Sequence, residues 1–147
     1  MTMIHTNTIR LGAEFKTKEE AIRATGELLV AAGAVEESYI QSMLEREETV
    51  STYMGNFIAI PHGTDASKGT IKKTMISIVV VPEGIDFSDI PDEKKVFVLF
   101  GIAGIGDEHL DLLSKIAIFC SEMSNVEQLI LAETPEAVIA LLENIED

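Results

Sequence analysis

A single cysteine, Cys120, in 147 residues leaves no internal disulfide to form, and with it goes the disulfide-stapled class of small secreted folds. Basic residues are scarce too: 11 Lys and Arg stand against 25 Asp and Glu, a formal charge of −14 that repels a polyanion over most of the surface and makes nucleic acid a poor partner. Long apolar runs are missing. The longest, such as Val96 to Ile105, fall far short of the roughly 20 residues needed to span a bilayer, so direct membrane insertion is not expected. The opening Met1-Thr2-Met3-Ile4-His5 lacks the basic segment and apolar core of a signal peptide. No internal repeat and no Ser/Gly-rich linker divides the chain. Together these absences predict one domain over residues 1–147, a reducing compartment and, most simply, the cytoplasm.

What is present is an ordinary globular balance, 46% apolar and 24% charged, in a chain long enough to bury one sizeable core without metal or disulfide. Thr17-Lys18-Glu19-Glu20 reads as a capping box that opens a helix carrying Ala21, Leu28, Leu29 and Ala32; Gly26 weakens it slightly and Gly33 stops it. A second helix runs from about Glu36 through Ile40, Met43 and Leu44 into Glu45-Arg46-Glu47-Glu48. Phe57 to Ile60, Met75 to Val81 and Val96 to Ile102 are short runs rich in Val, Ile and Phe, the pattern of strands buried on both faces. Asp107 is placed to cap a third helix with the stripe Leu112, Leu113, Ile116, Ala117 and Cys120. Ser124 with Glu127 offers another capping box, and Thr134-Pro135-Glu136 starts a last helix whose inner face is Val138, Leu141, Leu142 and Ile145. Helices at both ends around several buried strands predict an α/β domain, a mixed sheet flanked by helices on both faces.

The sharpest local feature is an apolar strand that ends abruptly in Pro61-His62-Gly63. Proline cannot continue an interior ladder, and glycine permits backbone angles closed to other residues, so His62 is expected at a strand end, fixed and accessible. A neutral imidazole there can attack phosphorus with one nitrogen while the other donates to a carbonyl. From the residues alone a second reading stands beside this one, a histidine in an ordinary turn. His109, two residues after Asp107, falls in a helical first turn, where free N–H groups favour an anion; it reads either as a second wall of a phosphoryl site or as a surface residue. Arg46, flanked by Glu45, Glu47 and Glu48, reads as part of a solvated, ion-paired helix end. His5, His62 and His109 show no metal-ligand spacing, and Cys120 on its apolar stripe reads as core. With no Gly-x-Ser-x-Gly elbow, dinucleotide fingerprint or P-loop, neither a nucleophilic-serine enzyme nor a nucleotide cofactor is supported.

Tyr53 to Thr64, centred on Ile58-Ala59-Ile60-Pro61-His62-Gly63-Thr64, closely resembles the active-site segment of the mannitol/fructose family of IIA phosphotransferase components. The resemblance extends to Thr17-Lys18-Glu19-Glu20-Ala21-Ile22, Glu45-Arg46-Glu47, Pro82-Glu83-Gly84 and Glu108-His109, nearly the whole chain. It implies an α/β sandwich, with His62 the phosphorylated residue, His109 the second active-site histidine and Arg46 the arginine near the phosphoryl group. It also implies the partners: the phosphohistidine of the small carrier HPr as donor, and a cysteine of the IIB domain of the membrane-bound mannitol permease as acceptor. No metal or nucleotide is implied. Pro61-His62-Gly63-Thr64 and Pro82-Glu83-Gly84-Ile85 favour the mannitol branch over fructose-type or nitrogen-regulatory members, in which His62 phosphorylation would serve signalling. The ending Leu141 to Asp147 carries no IIB segment and suggests a stand-alone IIA component. One position departs from the pattern: Asn56 stands where some mannitol-type members have glutamate, leaving an amide to hydrogen-bond the site.

Overall fold

The fold is that of a computed structural model, which describes residues 4–143. Its elements are β1 (Ile9–Arg10), α1 (Lys18–Ala31), α2 (Ser38–Thr49), β2 (Tyr53–Gly55), β3 (Ile58–Ala59), β4 (Met75–Asp86), β5 (Lys95–Ala103), α3 (Glu108–Cys120), α4 (Met123–Leu131) and α5 (Pro135–Leu142), with short 3-10 turns at Thr6–Thr8 and Asp65–Thr70. The strands form one five-stranded mixed sheet in the order β1-β4-β5-β3-β2. Its centre is the antiparallel pair β4 and β5, with β1 parallel to β4, β3 parallel to β5, and β2 antiparallel to β3 at the edge.

The runs Met75 to Val81 and Val96 to Ile102 are buried on both faces, as their lack of alternation predicts, whereas of Phe57 to Ile60 only Ile58 and Ala59 are strand and buried, Phe57 being 38% exposed in a left-handed turn. Met75, Val79, Val81, Leu99 and Ala103 pack with α1 and α2 on one side. Ile76, Ile78, Val80, Val98, Phe100 and Ile102 pack with α3, α4 and α5 on the other. β4 continues beyond the expected Val81: its register with β5 shifts between Val80 and Ile85, a bulge that accommodates Pro82 and Gly84. β1 and β2, unforeseen from sequence, are only two and three residues long.

The two helix caps with a threonine are made as the sequence indicates. Glu20 N–H donates to Thr17 Oγ1 (3.2 Å) while Glu20 Oε1 accepts from Thr17 N–H (3.1 Å), a reciprocal cap; a lone cap of this kind is worth about 1 kcal/mol. Ala137 N–H donates to Thr134 Oγ1 at 3.1 Å, and Pro135 opens the helix. Two other expected caps fail. Asp107 precedes α3 in helical backbone geometry and its side chain caps nothing. Ser124 lies inside α4, whose start is set instead by Glu122, whose carbonyl accepts from the amides of Asn125 and Val126. Gly26 is more than a weakness: a Cβ there would lie 2.8 Å from Ile40 Cγ1, so its absence lets α1 and α2 pack closely. On α5 Val138 and Leu142 are buried; Ile145, expected on the same face, lies outside the described residues.

The sheet and α2 converge on one place. β3 runs into Pro61 and His62 beside β5, where Ile102 N–H donates to the Pro61 carbonyl (2.9 Å) and His62 bridges to Ile102 in parallel register. The loop after β5 delivers His109 to the same end.

Candidate active site

His62 stands at the strand end and is fixed, as expected, but only 8% of it is exposed. Access is through a cavity of about 260 Å³ whose lining includes Tyr39, Arg46, Thr49, His62, Thr64 and His109. His62 Nδ1 lies 2.8 Å from the Ile60 carbonyl. A carbonyl only accepts, so Nδ1 carries the proton and the neutral ring keeps its lone pair on Nε2. Burial lowers the His62 pKa below the ordinary 6.5; the Ile60 carbonyl opposes this, and the nearby charges of His109 and Arg46 add to it. The ring is therefore neutral and nucleophilic at neutral pH.

The structure brings all three sequence-indicated residues together. The His62 and His109 ring centroids are 5.1 Å apart, edge to face at 61°. Gly104 permits this approach, since a Cβ on it would lie 2.5 Å from His109 Cα. Arg46 reaches the cavity from α2 and donates through Nη1 to the Val50 carbonyl just past the helix end. The acidic tract around it is not uniformly solvated: Glu45 and Glu48 are exposed, whereas Glu47 is 4% exposed. Burial alone would raise the Glu47 pKa, but hydrogen bonds from Ser51, Thr52 and Lys18 outweigh it and hold the carboxylate below its usual value. Glu47 Oε1 accepts from the Thr52 amide (2.8 Å) and hydroxyl (2.6 Å), and Oε2 from Lys18 Nζ (3.2 Å). It ties the end of α2 to the segment leading into β2 and to the start of α1.

Three expectations about the surroundings change. Gly63 has no left-handed backbone; it is needed because a Cβ would sit 2.5 Å from both Ser67 Oγ and Tyr39 Cε1. The first amides of α3 are engaged, Glu108 N–H with the Ile105 carbonyl (3.1 Å) and His109 N–H with that of Gly106 (3.4 Å), so these two do not serve an anion in the cavity. Asn56 also serves elsewhere, since its Nδ2 donates to the Cys120 carbonyl at 2.9 Å, closing the end of α3. Cys120 is core, with burial pushing its thiol pKa up to about 12.

Tyr39 and Ser42 were missed from the sequence, and Thr64 and Glu47, although they stand in the matching motifs, were given no role. A signal existed for the first two: Tyr39, Ser42, Arg46 and Thr49 follow at steps of three and four, one stripe along α2. Val50, Ile105 and Leu110 are exposed apolar residues, each next in sequence to a residue lining the cavity, Thr49, Gly104 and His109. No helix among the described residues is long and apolar enough to cross a membrane.

The chain resembles known proteins over nearly its whole length. The mannitol-specific phosphotransferase enzyme IIA component of Enterococcus faecalis is 55% identical, the match covering 89% of this chain and 90% of the relative. The crystal structure of IIA mannitol from Escherichia coli superposes with a TM-score of 0.88 at 37% identity, over 95% of this chain and 98% of that one. A complex of IIA with phosphorylated IIB of the mannitol system, also from Escherichia coli, superposes with a TM-score of 0.89 at 35% identity, over 96% of this chain and 97% of that one. The model of one family, described as the phosphoenolpyruvate-dependent sugar phosphotransferase system, EIIA 2, matches residues 2–145. A buried, oriented histidine facing an arginine and a second histidine thus sits in a chain that belongs to the EIIA 2 family of the sugar phosphotransferase system.

Proposed function

We propose that this chain is a cytoplasmic phosphocarrier of mannitol uptake, one domain over residues 1–147, which takes a phosphoryl group onto His62 and passes it on. The observation that carries the reading is the orientation of His62. Its Nδ1 proton is committed to the Ile60 carbonyl, and its pKa is depressed chiefly by burial, which leaves Nε2 as the nucleophile beside a cavity shared with Arg46 and His109. The mannitol-specific names of the relatives, and the neighbour solved with phosphorylated IIB, support the choice of sugar and acceptor.

In the first step the Nε2 lone pair forms the new P–N bond as the donor's P–N bond breaks, and that electron pair leaves with the donor nitrogen of phospho-HPr. The His62 ring becomes an imidazolium whose Nδ1–H still faces the Ile60 carbonyl, so no proton need move. In the second step a cysteine thiolate of the IIB domain of the mannitol permease attacks phosphorus, and the pair of the broken P–N bond returns to Nε2. Charge on the three equatorial oxygens is met by Arg46 and His109, the groups placed at the cavity. The exposed Val50, Ile105 and Leu110 give each partner in turn an apolar rim on which to dock.

The test is incubation with purified phospho-HPr followed by intact-mass measurement, then addition of IIB domains specific for different sugars. One acid-labile phosphoryl that is absent from His62→Ala and leaves for the mannitol IIB cysteine is the expected result. A phosphoryl acquired by His62→Ala, or one that leaves only for another sugar's IIB, overturns the corresponding half of the reading.

A further inference from the structure

β3 and β5 pair in parallel up to His62, where the Pro61 carbonyl accepts from Ile102 N–H at 2.9 Å. The next ladder bond would join Gly63 N–H to the Ile102 carbonyl. A hydroxyl stands between them instead: Gly63 N–H donates to Tyr39 Oη (2.9 Å), and Tyr39 Oη donates to the Ile102 carbonyl (2.8 Å). Three residues further along α2, Ser42 Oγ accepts from the following amide, Thr64 N–H, at 2.8 Å, and shares a 3.0 Å hydrogen bond with Thr64 Oγ1. Two consecutive amides immediately after His62 are thus held by two hydroxyls one helical turn apart.

The surroundings are built for this arrangement. Tyr39 is 1% exposed, and Gly63 lacks the Cβ that would strike its ring. The phenol has an ordinary acceptor and an ordinary donor, so its insertion leaves no buried polar group unmatched. Arg46 lies one further turn along the same helix, so α2 carries both the clamp on the His62 backbone and the cation of the cavity.

We propose that Tyr39 and Ser42 are positioning residues for phosphoryl transfer: their hydroxyls end the β3–β5 ladder at His62 and set the backbone from which the imidazole turns Nδ1 onto Ile60 and leaves Nε2 free of that bond, in the cavity it shares with Arg46. The inference rests on the reading of His62 as the phosphoryl acceptor. The two hydroxyls are bonded to the Ile102 carbonyl, Gly63 and Thr64, and they act through the register of the segment 62–64. In-line transfer between two side chains is sensitive to such placement, because a shift of about 1 Å can cost on the order of 100-fold in rate.

The test compares wild-type, Tyr39→Phe and Ser42→Ala proteins by two readouts: the rate of phosphoryl transfer from purified phospho-HPr, and the 15N chemical shifts of the His62 ring, which report which nitrogen carries the proton. Folding is checked by the dispersion of the amide spectrum. Each variant should fold, slow transfer roughly 10-fold or more, and move the His62 ring away from the single Nδ1–H tautomer. Simple loss of stability would leave the His62 shifts of the folded fraction unchanged. Should Tyr39→Phe not fold, Ser42→Ala decides on its own. Folded variants with wild-type transfer rates and wild-type His62 shifts overturn the inference. A wild-type protein that takes no phosphoryl on His62 overturns the acceptor reading instead, while the ring shifts still decide whether the two hydroxyls set the imidazole.

Discussion

The two walls of the cavity are built differently. On the α2 and β3 side, the groups around His62 are buried and tied together: Nδ1 to Ile60, the amides of Gly63 and Thr64 to hydroxyls of α2, and Glu47 to Thr52 and Lys18. On the α3 side the helix begins without a side-chain cap, Asp107 and Glu108 are exposed, and Leu110 is 68% exposed. A hydroxyl there, Thr74 Oγ1, accepts from Ile105 N–H (3.1 Å) and donates to Glu108 Oε1 (2.8 Å), in a solvated setting. The contrast follows from the task. In the proposed function His62 is the attacking group and is held by its surroundings, while the α3 side, with acidic Asp107 and Glu108 and apolar Ile105 and Leu110 exposed, is left open to partners.

Changes at the cavity should produce the largest effects and should test whether both walls hold the phosphoryl group. Arg46→Ala and His109→Ala are each expected to lose about 2–4 kcal/mol of transition-state stabilisation, roughly 100-fold in rate, while His62 remains modifiable. Stopped-flow transfer from phospho-HPr measures this; wild-type rates in both folded variants would mean that neither side chain meets the developing charge.

Stability should separate the walls next. Glu47→Ala strands a buried Thr52 amide and hydroxyl and is expected to cost about 2 kcal/mol or more in urea unfolding. Glu108→Ala, which removes an exposed hydrogen bond, should leave the unfolding midpoint nearly unchanged. Equal losses for the two substitutions would erase the distinction between the two walls. Docking should depend on the α3 side instead: Leu110→Ser is expected to weaken partner binding by about 1 kcal/mol, severalfold in Kd, with the unfolding midpoint and His62 ring signals unchanged.

Smaller effects should appear with pH. The folded pKa of His62 is lowered, so the unfolded state binds the proton first: this group leaves stability unaffected above 6.5, and stability is lost as pH falls from 6.5 through the folded value. The carboxylate of Glu47, also lowered, contributes stability above 4.5 that disappears as pH falls through its folded value. An NMR titration of His62 with its midpoint at or above 6.5 would contradict the first statement. The smallest effect should be that of chelation. Among the described residues no three His, Cys, Asp or Glu lie together as metal ligands, and Arg46 and His109 line one cavity with His62. Starting from purified phospho-HPr, excess chelator should leave both transfer steps at nearly their original rates; a stop restored by Mg²⁺ would refute a metal-free mechanism.

Local signals determined much of this protein. Thr17 with Glu20, and Thr134 with Pro135, specify their helix starts because a cap is satisfied within three residues. The unbroken Val and Ile runs of β4 and β5 declare a sheet covered on both faces, and Pro61-His62-Gly63 marks a strand end. Where local signals compete, they mislead: Asp107 and Ser124 have capping chemistry, but neither provides its helix with a side-chain cap. β1 and β2 are too short to show a period of two. The stripe Tyr39, Ser42, Arg46 and Thr49 is visible as spacing, yet spacing says only that residues share a face, not what the face meets. Tyr39 finds Gly63 and Ile102, 24 and 63 residues away, and Asn56 finds Cys120, 64 residues away. Those pairings, the burial that depresses the pKa of His62, and the separation of Glu47 from its exposed neighbours were decided by the tertiary structure, because each depends on which distant backbone removes water from the group.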